Sequence, residues 1–250
     1  AEAKKYKISN IIEFDKEIGG RYSIWSDISL SAQWEDNSLK EMLNRGGNQA
    51  DIDIRNDKSY LKLIKTLAYS DIWLHNYKNK TSRAVLSYIW RLRSLPGYFQ
   101  QLEMESLGKK SSKENSKFKR TGQVIFGGYG PSAQHSYYQL LHQGTQDICA
   151  DIIVCKEDQE SLSYAQAITQ AKLLSNGSPD LLDEKEKLNG NVPVNLFSLK
   201  KVDSYSLGYL IATWEHRVYI TAAILGINPF DQFGVSAGKT YTKKYLADKG

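Results

Sequence analysis

Glu105 and Gln101 stand four residues apart in the stretch Gln100-Gln101-Leu102-Glu103-Met104-Glu105-Ser106, which closes on Gly108-Lys109. Ser94-Leu95-Pro96 ahead of it reads as a helix start, with a capping hydroxyl and a proline in the first turn. On that helix Gln101 and Glu105 share a face and can address one ligand. Leu95, Phe99 and Leu102 line a neighbouring stripe that can pack down. Gly108 ends the helix and leaves Glu105 in its last turn, where a carboxylate meets the negative end of the dipole and suits a general base. Upstream, Ile18-Gly19-Gly20-Arg21-Tyr22 pairs two glycines, which let the backbone approach a ligand, with Arg21 as a fixed cationic fork.

A second group of chemical residues follows downstream. Val124-Ile125-Phe126 is a strand, and Gly127-Gly128-Tyr129-Gly130-Pro131-Ser132 is predicted to turn from it into a helix beginning near Gln134-His135-Ser136. Free backbone N–H groups and the positive dipole end would then converge on an anion-accessible site. His135 falls in that first turn, where the imidazolium is disfavoured and a proton-accepting ring is expected. His142 lies seven residues on, roughly on the same face, but no Cys or carboxylate falls at ligand spacing nearby, so no metal site is expected. Gln232 and Lys239 are two helical turns apart if their segment is helical. Taken singly, each of these signals is ordinarily met by a solvated Glu, a surface Arg or Lys, or a hydrogen-bonded structural His.

Elements must hold these residues together. At 250 residues the chain can form one large α/β domain with an extension. Its 41% hydrophobic and 24% charged residues are those of an ordinary globular protein. The net charge of +5 favours anions such as phosphate esters but is too mild to argue for nucleic acid. Cys149 and Cys155 lie in or beside an apolar run and read as reduced core thiols, as in a cytoplasmic protein. No signal peptide is expected, and Glu215-His216-Arg217 interrupts the apolar run Leu207 to Leu225, which is therefore a buried helix and not a membrane span. Leu39 to Asn44 predicts a short helix and Arg45-Gly46-Gly47-Asn48 a turn. Tyr60, Ile64, Leu67, Ala68 and Ile72 recur at helical spacing, and Ala84 to Tyr88 is a strand leading into the Glu105 helix. The basic stretch Lys109 to Arg120 reads as a solvated loop. Ile148 to Cys155 is a central parallel strand, Ser161 to Asn176 a helix, Ser178-Pro179-Asp180 the start of another, and Val192 to Leu199 the last strand. Ligands in such sheets gather at the carboxyl ends of the strands.

In this order the motifs form a set. Gly19-Gly20-Arg21-Tyr22-Ser23-Ile24-Trp25-Ser26, Gln100-Gln101-Leu102-Glu103-Met104-Glu105-Ser106 with Gly108-Lys109, and Gln134 through Thr145 resemble the signatures of the phosphoglucose isomerase family. Trp214-Glu215-His216-Arg217 and Phe230-Asp231-Gln232 through Gly238-Lys239 complete the resemblance. Only the C-terminal half of the family is matched. Departures from its pattern stand at Leu107, at Pro131-Ser132-Ala133 and at Ser236.

The resemblance implies a sugar-isomerase (SIS) type doubly wound sheet, mainly parallel and flanked by helices, with a C-terminal helical extension. It divides the chain into residues 1–35, the tail of a missing N-terminal SIS domain, 36–225, a second SIS domain, and 226–250, a C-terminal helical segment. It implies an aldose–ketose isomerase that interconverts glucose 6-phosphate and fructose 6-phosphate through a cis-enediolate. In those terms Glu105 is the base, Arg21 stabilises the enediolate, His135 and Lys239 open the ring, and Gln101 and Gln232 contact substrate. It further implies a homodimer with His135 supplied across the interface, no metal or other cofactor, and no nucleic-acid or membrane partner. Without the other half this chain is expected to be inactive alone; the alternative is a non-catalytic sugar-phosphate-binding SIS module.

Overall fold

The computed structural model describes residues 5–9, 11, 15, 18–32, 37–111, 117–178, 180–181 and 183–249. Part of the basic stretch around Lys113 and Glu114, and Pro179 of the expected helix start, lie outside the described residues. The main elements are α1 (Asn37–Asn56), α2 (Lys58–Tyr77), β1 (Ser82–Ser87), α3 (Leu95–Leu107), β2 (Val124–Tyr129), α4 (Gly130–Ala133), α5 (Tyr138–Gln143), β3 (Ile148–Cys155), α6 (Leu162–Asn176), β4 (Val194–Leu199), α7 (Ser204–Leu225) and α8 (Phe233–Ala247). Two 3₁₀ segments, Gly20–Trp25 and Asp27–Ala32, precede α1.

Among the described residues four strands form one parallel sheet in the order β2-β1-β3-β4. The chain steps outward from β1 to β2, then crosses back over β1 to β3, which is the doubly wound pattern. Alternation along the strands builds two cores. Val85, Ile153 and Cys155 face α3 and α7, with Phe99, Leu102 and Trp214, whose ring stacks on Phe99 at 3.9 Å. Ala84, Leu86, Ala150, Ile152 and Val154 face the other way, against α5 and α6. β3 is buried along its whole length, as its apolar run requires, and both of its cysteines are free thiols. Among the described residues no helix is long and apolar enough to cross a membrane.

Charges cross the first core. Arg83 on β1 bonds Asp71 of α2 (2.8 Å), Asp151 of β3 (3.3 Å) and Glu103 of α3. Arg217 on α7 holds Asp71 through two bonds of 2.6 Å and Asp151 at 2.8 Å. Two cations thus face three carboxylates, and burial pushes all three carboxyls above their ordinary range. The cluster ties five elements together, and removing one partner would strand buried charge. Glu103 also accepts from the Trp214 indole at 2.7 Å, which fixes the roll of α3 and so the direction of its polar face.

Several expectations are corrected here. Arg45 to Asn48 is no turn: α1 runs unbroken for 20 residues through both glycines. A side chain at Gly46 would run into the Tyr205 carbonyl of α7, and one at Gly208 into the Leu43 carbonyl of α1. These glycines buy close helix packing, not a bend. Gly127 and Gly128 belong to β2, where a Cβ on Gly127 would strike the Val85 backbone of β1. The segment after α6 holds no helix among the described residues. Ser94 does sit at the start of α3, but its hydroxyl makes no capping bond, so Pro96 with its fixed φ sets the start.

Candidate active site

Arg21 is fully buried although it is an arginine in a short 3₁₀ segment. Of the two glycines before it, Gly20 is the crowded one: a Cβ there would lie 3.2 Å from the Gln101 amide nitrogen, whereas one on Gly19 would make ordinary contact, 3.6 Å from the Gln232 amide oxygen. The guanidinium is bonded on every side. Nε donates to Ser106 Oγ (3.0 Å), Nη1 to Glu105 Oε2 (3.0 Å) and to Gln232 Oε1 (2.8 Å), and Nη2 to the carbonyls of Pro229 (2.5 Å) and Asp231 (2.9 Å). A guanidinium has five N–H groups, and all are committed. Gln101 reaches the other oxygen of Glu105 at 3.3 Å. Residues from three distant stretches thus meet: Arg21, then Gln101 with Glu105 on α3, then Gln232 at the start of α8.

The surroundings set their freedom. The Glu105 side chain is 26% exposed and so can meet a ligand, whereas Arg21 reaches one only through Nη1, because Nε and Nη2 are held by hydroxyl and backbone. Lys109 clamps the same loop, donating to the carbonyls of Asn228 (2.5 Å) and Asp231 (2.7 Å) and to the Asp231 carboxylate (3.0 Å). Tyr22, whose hydroxyl lies 3.3 Å from Ser106 Oγ, is raised above the ordinary phenol range by burial. The pair lies beside the last turn of α3. That turn packs on Gly122, just before β2 starts, so the cluster is at the amino end of β2 and not at the carboxyl ends of the strands.

His135 and Lys239 are not drawn in. His135 is exposed and follows the single turn of α4, its backbone N–H bonded to the Ser132 carbonyl, and α5 begins only at Tyr138. It is therefore not in the first turn of a helix, and the dipole argument for a neutral ring lapses. Lys239 is exposed on α8 and has no polar partner among the described residues. His142 bonds Gln170 at 2.6 Å, and burial holds its imidazole below the ordinary range. Sequence reasoning missed Tyr98, Ser106 and Glu215 in this neighbourhood. The signal for Glu215 was present: a carboxylate inside an apolar helix needs donors.

The family model for Phosphoglucose isomerase matches residues 2–249. The chain is 35% identical to glucose-6-phosphate isomerase of Acinetobacter baumannii, with 92% of this chain and 46% of that protein aligned. It is 33% identical to glucose-6-phosphate isomerase 2 of Neisseria meningitidis, over 92% and 47% of the two chains. A crystal structure of a glucose-6-phosphate isomerase from Chlamydia trachomatis superposes with a TM-score of 0.87 at 25% identity, covering 98% of this chain and 50% of that one. The chain spans about half the length of the curated relatives it matches.

Proposed function

Because the chain belongs to the phosphoglucose isomerase family, we propose that it supplies the base and the oxyanion-stabilising cation of an aldose–ketose isomerase acting on glucose 6-phosphate and fructose 6-phosphate. The observation that carries this is the 3.0 Å contact between Arg21 Nη1 and Glu105 Oε2, with Gln101 and Gln232 on either side. Glu105 takes the C2 proton of the open-chain aldose; the C2–H electrons form the C1–C2 double bond and the carbonyl electrons move to O1. Glu105 then returns the proton to C1, while O2 gives up its proton to become the ketose carbonyl and O1 takes one up. As the carboxylate is neutralised, an equal charge grows on the enediolate. Arg21 faces one negative charge throughout, so a rigid, water-free mount serves it at every stage. With every N–H of Arg21 committed, substrate enters by displacing Glu105 Oε2 or the Gln232 amide from Nη1.

His135 and Lys239 are assigned to ring opening, and Gln101 and Gln232 to substrate contact. The exposure of His135 supports its delivery to a second copy in a homodimer. We assign residues 1–35 to the tail of a preceding SIS domain, 36–225 to the second and 226–250 to a C-terminal helical segment. Free buried cysteines favour the cytoplasm as its compartment. The test is turnover of the chain alone and mixed with the N-terminal half of a full-length relative. Turnover restored in the mixture supports the isomerase; sugar-phosphate binding without turnover in either sample supports a non-catalytic binding module instead.

A further inference from the structure

Beneath the Arg21 segment a second carboxyl is approached from two sides. Glu215 of α7 is half-buried; the Trp25 indole N–H lies 3.0 Å from each of its oxygens, and the Tyr98 hydroxyl lies 3.1 Å from Oε1. The same Tyr98 hydroxyl is 2.6 Å from the backbone carbonyl oxygen of Arg21. A phenol has one proton to give. The carbonyl can only accept, so the shorter contact takes that proton. The 3.1 Å contact then sets two oxygens face to face with no hydrogen between them, unless Glu215 brings one.

We propose that Glu215 is a positioning residue that works as a neutral carboxylic acid, donating to Tyr98 so that Tyr98 can donate to the Arg21 carbonyl. The chain Trp25–Glu215–Tyr98–Arg21 grips the 3₁₀ segment at both its start and its end and ties it to α3 and α7. The inference rests on the reading of Arg21 as the oxyanion cation, since a guanidinium with no spare N–H depends on where its backbone is held. Burial pushes the Glu215 carboxyl up to about 7, with the negative charge of Asp51 adding to the effect. The groups that face it are Trp25 and Tyr22 of the 3₁₀ segment, Tyr98 of α3, and Asp51 of α1, which bonds His216 at 2.8 Å. Above neutrality the ionised carboxylate becomes the stronger acceptor and draws the Tyr98 proton away from the Arg21 carbonyl. Glutamine at this position can donate to Tyr98 and accept from Trp25 at any pH.

The test follows the Nε–H proton resonance of Arg21, which burial protects from exchange, through a pH titration of the whole chain. In the wild type the resonance moves with a midpoint near neutrality; in Glu215→Gln it stays at its low-pH position, and in Glu215→Ala it is displaced at every pH. A resonance that does not titrate in the wild type, or that titrates equally in Glu215→Gln, overturns the proposal. The readout needs no turnover, so it stands apart from the isomerase reading. Where a five-carbon aldonate phosphate binds, its carboxylate standing in for the enediolate, wild-type affinity falls about five-fold through the titration, the worth of one hydrogen bond. Affinity in Glu215→Gln stays flat. Absence of binding even in the mixture with the N-terminal half of a relative, with the resonance behaving as described, would refute the isomerase reading alone.

Discussion

Replacing Arg21 by alanine removes five hydrogen bonds from one buried point, and their separate fates set the size of the effect. Glu105 is partly exposed and can turn to water, and Gln232 can do the same, so neither adds much. Ser106 keeps the Tyr22 hydroxyl at 3.3 Å. The carbonyl of the buried Pro229 loses its donor, whereas that of Asp231 keeps Lys109 Nζ at 2.7 Å. One such acceptor left unpaired costs roughly 1–3 kcal/mol, and the lost packing of the arginine stem adds about 1 kcal/mol. The expected loss is about 2–4 kcal/mol, a large share of the roughly 5–15 kcal/mol a domain has in hand. Urea unfolding followed by tryptophan fluorescence measures it. Arg21→Lys, which can satisfy only some of these acceptors, falls between. A loss below about 1 kcal/mol for the alanine variant would refute the claim that Arg21 is the hub of this site.

Three further outcomes are expected. Glu105→Gln keeps the shape of the site and the Gln101 contact but cannot accept a proton; turnover in the half-mixture falls by at least about 100-fold, while the urea midpoint barely moves. Gly46→Ala drives a methyl group into the Tyr205 carbonyl and lowers the melting temperature, whereas Gly234→Ala on exposed α8, where nothing lies within 4 Å, is neutral or stabilising by up to about 1 kcal/mol. Glu215 keeps its proton in the fold up to about 7 instead of the ordinary 4.5, so its contribution is full below 4.5 and is lost as pH rises to about 7. Unfolding free energy measured across that window should therefore fall less in Glu215→Gln than in the wild type, by up to about 3 kcal/mol.

Where pattern and packing agree, the chain could be read directly. The apolar run Ile148 to Cys155 is a strand over those very residues because both of its faces are covered. The spacing of Tyr60, Ile64, Leu67, Ala68 and Ile72 gave α2, whose buried face includes all five. Gln101 and Glu105 do share a face, and Arg21 does meet them, though nothing local in Gly-Gly-Arg dictates that a guanidinium be buried. Glycines misled twice, at Gly46-Gly47 and at Gly127-Gly128, because a missing side chain serves close approach as readily as it serves a turn. The Arg83–Asp71–Glu103–Asp151–Arg217 cluster could not be foreseen, since charges spread along the chain look like surface until the sheet gathers them. Asp151 in the middle of an apolar strand and Arg217 inside an apolar helix were its visible traces.

The most direct measurement is hydrogen exchange at C2 of glucose 6-phosphate in deuterium oxide, with the chain paired to the N-terminal half of a relative. Deuterium is expected at C2 with the wild type and not with Glu105→Gln. Exchange that proceeds undiminished in Glu105→Gln would mean that another group moves the proton and that the Arg21–Glu105 contact has a different purpose.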